Sequence, residues 1–375
     1  MMGLIKDALS WLIVLLIRLI SPLVIVRVIR LPNHRIGHLV VETEIYLQQK
    51  RLGEHQGTVD IFIPRLDVDA NGALNQIVRR QIHYYPFFHR VEHLLKRTGD
   101  MQRHLHSIRL KRPSRMNVLL DSGPTCLAFS DVERSRGEQN LRLMGIPSGA
   151  KWICIYARDD KYLSQVHADR DYSYHDYRNS DIETYRDASM ALIERGYYVV
   201  RIGKVVEKPL GIDHPQFIDY AVHHQDDLMD LYLCAHCHFF LGDVAGIAHV
   251  ARVFKRPVVH VNAIPFNSSL EILGEFDLIL PKRLKQNGEL LSLSNLIISP
   301  VGSYTRTEEY LNDNIEIINA SPSDILETAL EMDIQISQGE PTKKSVAHSE
   351  FLLRCEKELG IKISGKLANV AVPYI

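Results

Sequence analysis

Trp152-Ile-Cys-Ile-Tyr156, Tyr197-Tyr-Val-Val-Arg-Ile202, His238-Phe-Phe-Leu241 and Pro257-Val-Val-His-Val261 are four short apolar runs along one stretch of the chain. Each has the length and β-branched or aromatic content of a buried strand. The first three are followed at once by groups suited to an anion: Arg158, then Gly203-Lys204, then Gly242-Asp243-Val244-Ala245-Gly246. Helical patterns lie between the runs, one carrying Ile182, Tyr185, Ser189, Leu192 and Ile193 and ended by Gly196. Strand, loop and helix in that order predict an α/β fold whose parallel sheet binds ligands at the carboxyl ends of its strands.

Working outward, 375 residues suit two domains of ordinary size. A formal net charge of -1 argues against a bulk nucleic-acid partner. Five cysteines do not make a disulfide framework, and their apolar settings suit a reducing, cytoplasmic compartment. Cys234-Ala-His-Cys237-His238 matches a haem-attachment pattern, and its residue types also suggest zinc. Four ligands so close in sequence could hardly converge on one ion, so structural cysteines are expected.

The amino-terminal run is apolar from Trp11 to Ile29, interrupted by Arg18, Pro22 and Arg27. A break at Ser21-Pro22 divides it into a helix over 3–20 and a strand over Leu23–Leu31. With Lys6 and Asp7 inside it, the helix offers too short an apolar length for a clean span. An interfacial helix is the favoured reading, with a signal anchor and a core helix as alternatives. Such a helix would rest on the inner-membrane surface and make the protein peripheral there.

After that strand, Asn33-His34-Arg35-Ile36-Gly37-His38 turns into a helical pattern over Val40–Gln49. His38 is expected on the turn at the sheet's carboxyl edge, where a histidine suits proton transfer. Glu42 and Glu44 compete for that role or orient the ring. Further on, Thr58–Ile63 and Met116–Leu120 read as strands, Gly72–Arg80 as a helix and residues 135–150 as a linker. Helices are also expected after Ser321 and over His348–Leu359.

Arg158 can fork onto phosphate oxygens. The polar segment from Tyr174 and His175 to Asp181 is longer than a connector needs and reads as a ligand loop. Arg201 and Lys204 are nearby positive candidates. The Gly242–Gly246 turn, with Ala245 inside it, offers backbone N–H groups, although Asp243 would repel phosphate unless it caps the next helix or meets a sugar hydroxyl.

In order, Arg35-Ile-Gly-His-Leu39, Glu44-Ile-Tyr-Leu47, Tyr156-Ala-Arg158-Asp159, Tyr174-His-Asp-Tyr-Arg-Asn-Ser-Asp181, Gly196-Tyr-Tyr-Val-Val-Arg201-Ile-Gly203-Lys204, Asp230-Leu-Tyr-Leu-Cys-Ala235 and Phe254-Lys-Arg-Pro257 form one series. It resembles a family of bacterial glycosyltransferases linked to surface polysaccharides, over residues 23–335. The Arg158 strand and the Gly242 turn look more distantly like the donor motifs of the fucosyltransferase superfamily. The resemblance implies a GT-B architecture, two Rossmann-like domains facing across a cleft, with no cofactor and no catalytic metal. The expected plan is an apolar helix (1–21), an acceptor domain (22–145), a donor domain (146–335) and a linker with a last helix (336–375). A nucleotide-sugar donor would bind through Arg158, Tyr174, His175, Arg201, Gly203, Lys204, Gly242, Asp243, Ala245 and Gly246. A glycan or lipid-linked acceptor would meet His38, Glu42 and Glu44, and the transfer would invert the anomeric carbon. The family usually has small hydroxyl residues where Asp243-Val244-Ala245 stands, which keeps open a non-catalytic binding or scaffold protein with a decayed donor site. A sugar-nucleotide epimerase is disfavoured, because no Gly-x-Gly-x-x-Gly follows the first strand.

Overall fold

The computed structural model describes residues 2–67, 69–99, 101–108, 115–159, 161, 173–341 and 343–375. The chain divides into two compact units, Met1–Arg112 with Ser122–Phe129, and Pro113–Asp121 with Ser130–Ile375.

In the first unit, α1 (Met2–Ile20) ends before Ser21-Pro22, and β1 (Ile25–Arg30) follows. Beside β1 run β2 (Thr58–Ile63) and β3 (Leu105–Ser107), all parallel in the order β2-β1-β3. α2 (Ile36–Arg51) connects β1 to β2, and α3 (Gly72–Gln81) and α4 (Phe88–Arg97) connect β2 towards β3. Val26, Val28 and Ile63 of the sheet pack with Val91 and Leu95 of α4 and with Val14 and Ile17 of α1.

The third strand is not the expected one. Met116–Asp121 is a short helix, with Asn117, Leu119 and Leu120 buried and Val118 half exposed. Met, Asn and Leu carry no strand preference, and one β-branched residue does not outweigh them. The expected linker is also wrong in part. Asp131–Leu143 is a helix, opened by a capping box in which Ser130 and Glu133 accept from each other's backbone N–H. That Ser-x-x-Glu signature was readable in the sequence.

The second unit is built on a seven-stranded parallel sheet. Its strands are β4 (Trp152–Tyr156), β5 (Tyr198–Arg201), β6 (Phe217–Ile218), β7 (Phe240–Asp243), β8 (Val258–Ala263) and β9 (Leu278–Pro281). A small antiparallel sheet of β10 (Arg283–Gln286), β11 (Glu289–Leu290) and β12 (Ile315–Ile318) comes next, and β13 (Lys366–Leu367) returns to the main sheet. The main order is β13-β9-β8-β7-β4-β5-β6. From β4 the chain builds outward one way through β5 and β6, then crosses to β7 and builds the other way. The strand order therefore reverses between β4 and β7, and in sheets of this kind ligands bind at the carboxyl ends beside such a point.

Alternation along β4 shows both faces covered. Ile153 and Ile155 join one core with Leu192 of the helix Arg186–Glu194 and with Ala329 and Met332 of the helix Pro322–Gln338. On the other face the Trp152 indole donates to the Leu233 carbonyl of the helix Asp227–His236 at 3.0 Å. Strands buried on both faces read as unbroken apolar runs, which is why these were legible.

Candidate functional site

At the reversal point, the end of β7 lies against the end of β4 so closely that a Cβ on Gly242 would stand 2.6 Å from the Tyr156 carbonyl oxygen. Only glycine fits this approach. Asp243 follows, 1% exposed, and turns its carboxylate into the fold. Oδ1 accepts from the Tyr185 hydroxyl at 2.8 Å and from the Asn262 amide at 2.9 Å. Oδ2 accepts from the Arg158 backbone N–H at 2.7 Å and from the Ser180 hydroxyl. Burial pushes this carboxyl up, and the four donors pull it back. Asp243 therefore does not cap the next helix; it fixes the loops after β4 and before the helix of Tyr185 at one point.

Those loops carry the cations. The Arg178 guanidinium donates from one terminal nitrogen to the Val244 carbonyl at 2.7 Å, which sets it on the Gly242–Gly246 turn. The Arg158 carbonyl accepts from the Ser180 N–H at 2.9 Å, closing the same loop. Among the described residues, neither the Arg158 Nε nor the Arg178 Nε finds a hydrogen-bond partner. Burial, and next the charge of Arg158, push the Arg178 guanidinium down. Lys282, just past β9 and 2% exposed, donates to the Tyr177 and Asn179 carbonyls at 2.9 and 2.8 Å. Burial lowers its amine to about 8, with Asp243 acting against this and Arg178 and Arg158 with it. Arg158, Arg178 and Lys282 thus gather near the Asp243 carboxylate, with Asp159 the other acid beside them.

Sequence reading named Arg158 but assigned nothing to Arg178 and missed Lys282. A signal for Lys282 existed: it follows the buried strand Leu278–Pro281 almost as Arg158 follows Trp152–Tyr156. Tyr174 and His175 lie on the same loop. Their rings are 4.0 Å apart, with the Arg306 guanidinium 5.0 Å from the Tyr174 ring. The Thr307 hydroxyl donates to the Ser173 carbonyl at 2.8 Å and holds the start of this loop.

The remaining candidates are placed differently. Arg201 is 2% exposed and donates to the Lys208 carbonyl at 2.6 Å and to Asp219 at 3.3 Å, so its charge serves the fold. Lys204, one residue past Gly203, pairs with Asp227 at 3.1 Å. Ala245 is buried and Gly246 follows, but the next helix starts only at Ala248 and has 6 residues. A dipole that short adds little to anion binding, so the guanidinium groups are the stronger donors.

In the first unit, α2 begins at Ile36, inside the expected turn, so His38 lies in its first helical turn. Its Nδ1 is 2.8 Å from Glu42 Oε1 one turn on, with the His38 side chain 41% exposed. A carboxylate at Nδ1 fixes the tautomer with Nε2 as the free base. The loop before α2 is held by buried Asn33, which accepts from the Arg65 N–H at 2.7 Å and donates to the Arg65 carbonyl at 3.0 Å and to Asp69 at 2.6 Å. Glu44 has another task. Fully buried, it accepts from the Cys126 N–H at 2.9 Å, the Leu127 N–H at 3.1 Å and the Gln48 amide at 2.7 Å.

The Cys234–His238 segment is structural in its contacts. The thiols of Cys234 and Cys237 are buried with Cys154, and His236 and His238 stack on Tyr232 and Tyr197. Among the described residues, no group of three or more His, Cys, Asp and Glu is arranged to hold a metal ion.

No protein-family model matches the chain, and no curated protein matches it. Among solved structures it is similar to an ADP-heptose LPS heptosyltransferase II of E. coli, at 14% identity, covering 70% of this chain and 92% of that one, with a TM-score of 0.41. It is similar to a family 9 glycosyl transferase of Veillonella parvula at 11% identity, over 65% and 83%, with a TM-score of 0.39. It is also similar to a UDP-GlcNAc 2-epimerase of Neisseria meningitidis at 12% identity, over 84% and 99%, with a TM-score of 0.36. Likenesses this distant assign this chain neither substrate nor activity.

Proposed function

We propose that the chain is a glycosyltransferase of GT-B type that moves a sugar from a nucleotide-sugar donor to a glycan or lipid-linked acceptor. The observation that carries this is the Arg178 guanidinium on the Gly242–Gly246 turn, with Arg158 tied by its backbone N–H to Asp243 of the same turn, at the point where the sheet order reverses. Two guanidinium groups with unsatisfied Nε donors suit the paired oxygens of a diphosphate. Lys282 holds the loop that carries Arg178 by donating to the Tyr177 and Asn179 carbonyls.

The chemistry follows from these residues. His38 Nε2, with Nδ1 held by Glu42, takes the proton of the acceptor hydroxyl. The acceptor oxygen bonds to the anomeric carbon as the bond from that carbon to the phosphate oxygen breaks. The departing diphosphate keeps the electron pair, and Arg158 and Arg178 take up its growing charge. One displacement inverts the anomeric configuration, and the resemblance carries the expectation that no metal is needed. Asp243 supplied the ground for a decayed donor site. Its carboxylate is engaged by donors inside the fold, which supports a working donor site over a decayed one.

The test is release of nucleoside diphosphate from a panel of nucleotide sugars with glycan acceptors, run with a chelator present. The wild type should turn over with inversion. His38→Ala should lose about 10²- to 10⁴-fold in kcat with unchanged unfolding. A retained anomeric configuration would overturn the single displacement, and an unimpaired His38→Ala would remove His38 as the base.

A further inference from the structure

Helix α1 is covered along one narrow stripe. Ser10, Val14 and Ile17 are buried, Asp7 pairs with Arg90 of α4 at 2.6 Å, and Arg103 donates to the Ser21 carbonyl at 2.8 Å at the far end. The helix is thus fastened along its length to its own unit. At about 100° per residue, Lys6 falls on one flank of that stripe and Asp7 and Arg18 on the other. Between the flanks, facing away, lies an arc of about 240° with no polar side chain. Leu4, Leu12, Leu15, Leu16 and Leu19 are on it, and Trp11 stands at its edge beside Arg18. Leu19 is 74% exposed, and Leu23 just beyond the helix 89%.

A helix of this kind normally turns its apolar face to the core and its charges to water. In α1 the charges adjoin the protein-packed stripe and the apolar arc is left outside. We propose that this arc beds into the headgroup–acyl boundary of a bilayer bearing anionic lipids. Charge complementarity selects that occupant. Asp7 is the helix's one acid and Arg90 already neutralises it, while Lys6 and Arg18 flank the arc and Arg103 stands at its far end on the Ser21 carbonyl. A tryptophan at the border of such a face sits at headgroup depth. A second copy of α1 fits less well, because a helix pair covers only a narrow seam and would leave much of so wide an arc in water. Crossing is not open to it either: no helix of the described residues is long and apolar enough to cross a membrane. The inference is independent of the transferase reading and fails or stands without it.

The test is co-sedimentation of the purified full chain with vesicles of phosphatidylglycerol and phosphatidylcholine, against pure phosphatidylcholine. The chain has 2 tryptophans, and Trp152 is only 8% exposed, so a blue shift of emission on mixing reads Trp11. The wild type should bind anionic vesicles with that shift. Leu12→Asp with Leu16→Asp should weaken binding at least about tenfold with unchanged thermal unfolding. Leu19→Asp repeats the test at another exposed position. Lys6→Gln and Arg18→Gln should each weaken anionic binding about fivefold. A wild type that stays in the supernatant overturns the proposal. So does a lipid-free dimer that Leu12→Asp with Leu16→Asp dissolves, which would give the arc to a second copy.

Discussion

The amine of Lys282 makes a stability prediction whose sign runs against habit. Burial lowers it from 10.5 to about 8, opposed by Asp243 and aided by Arg178 and Arg158. Between those values the unfolded chain holds a proton that the native protein has released, so unfolding takes up a proton and native stability rises with pH. The contribution is absent below about pH 7 and reaches about 2.5 kcal/mol at about pH 10. The perturbation is Lys282→Met, which keeps the length and removes the charge. It leaves the Tyr177 and Asn179 carbonyls without that donor, a cost nearly independent of pH. The wild-type advantage over the variant should therefore grow by about 2–3 kcal/mol from pH 7 to pH 10. Urea unfolding followed by Trp152 emission, in a Trp11→Phe background, confines the reading to the second unit. Other titrations cancel in the difference. A flat or falling difference curve would refute a buried, charge-crowded setting for the Lys282 amine.

Two further outcomes follow from buried carboxylates. Asp243→Asn keeps one oxygen for Tyr185 and Asn262 but turns an amide toward the Arg158 N–H, so urea unfolding should show a loss of about 1–3 kcal/mol in the second unit. Glu44→Gln sets an amide against the N–H groups of Cys126 and Leu127 and should lower the calorimetric transition of the first unit by a similar about 1–3 kcal/mol. Its kcat should match the wild type while the fold holds, in contrast to His38→Ala.

The second-unit sheet was readable because its strands are buried on both faces. Ile153, Val199 and Val259 need no alternation to be recognised. The helix after Ser130 was readable too, from its capping box, but the polar run Arg134–Gln139 drew attention away from it. The helix at Met116 was hidden in a run too short for its period to show. In the site, Arg158 stood out because it follows a strand directly. Arg178 did not, because its place on the Gly242 turn depends on a hydrogen bond to a carbonyl 66 residues away. The contacts of Asp243 were out of reach for a related reason. Its partners Arg158, Ser180, Tyr185 and Asn262 come from loops that only the fold assembles, and charge alone suggested repulsion.

The central claim is that Arg158 and Arg178 hold the diphosphate of a nucleotide. Calorimetric titration of the wild type and of Arg178→Lys with GDP, UDP, ADP, CDP and TDP tests it most directly. Lysine keeps the charge and loses the fork. One nucleotide should bind, more tightly than its bare nucleoside, and Arg178→Lys should weaken it by about 10- to 100-fold. A bare nucleoside binding as tightly as its diphosphate, or an unchanged affinity in Arg178→Lys, would contradict the account.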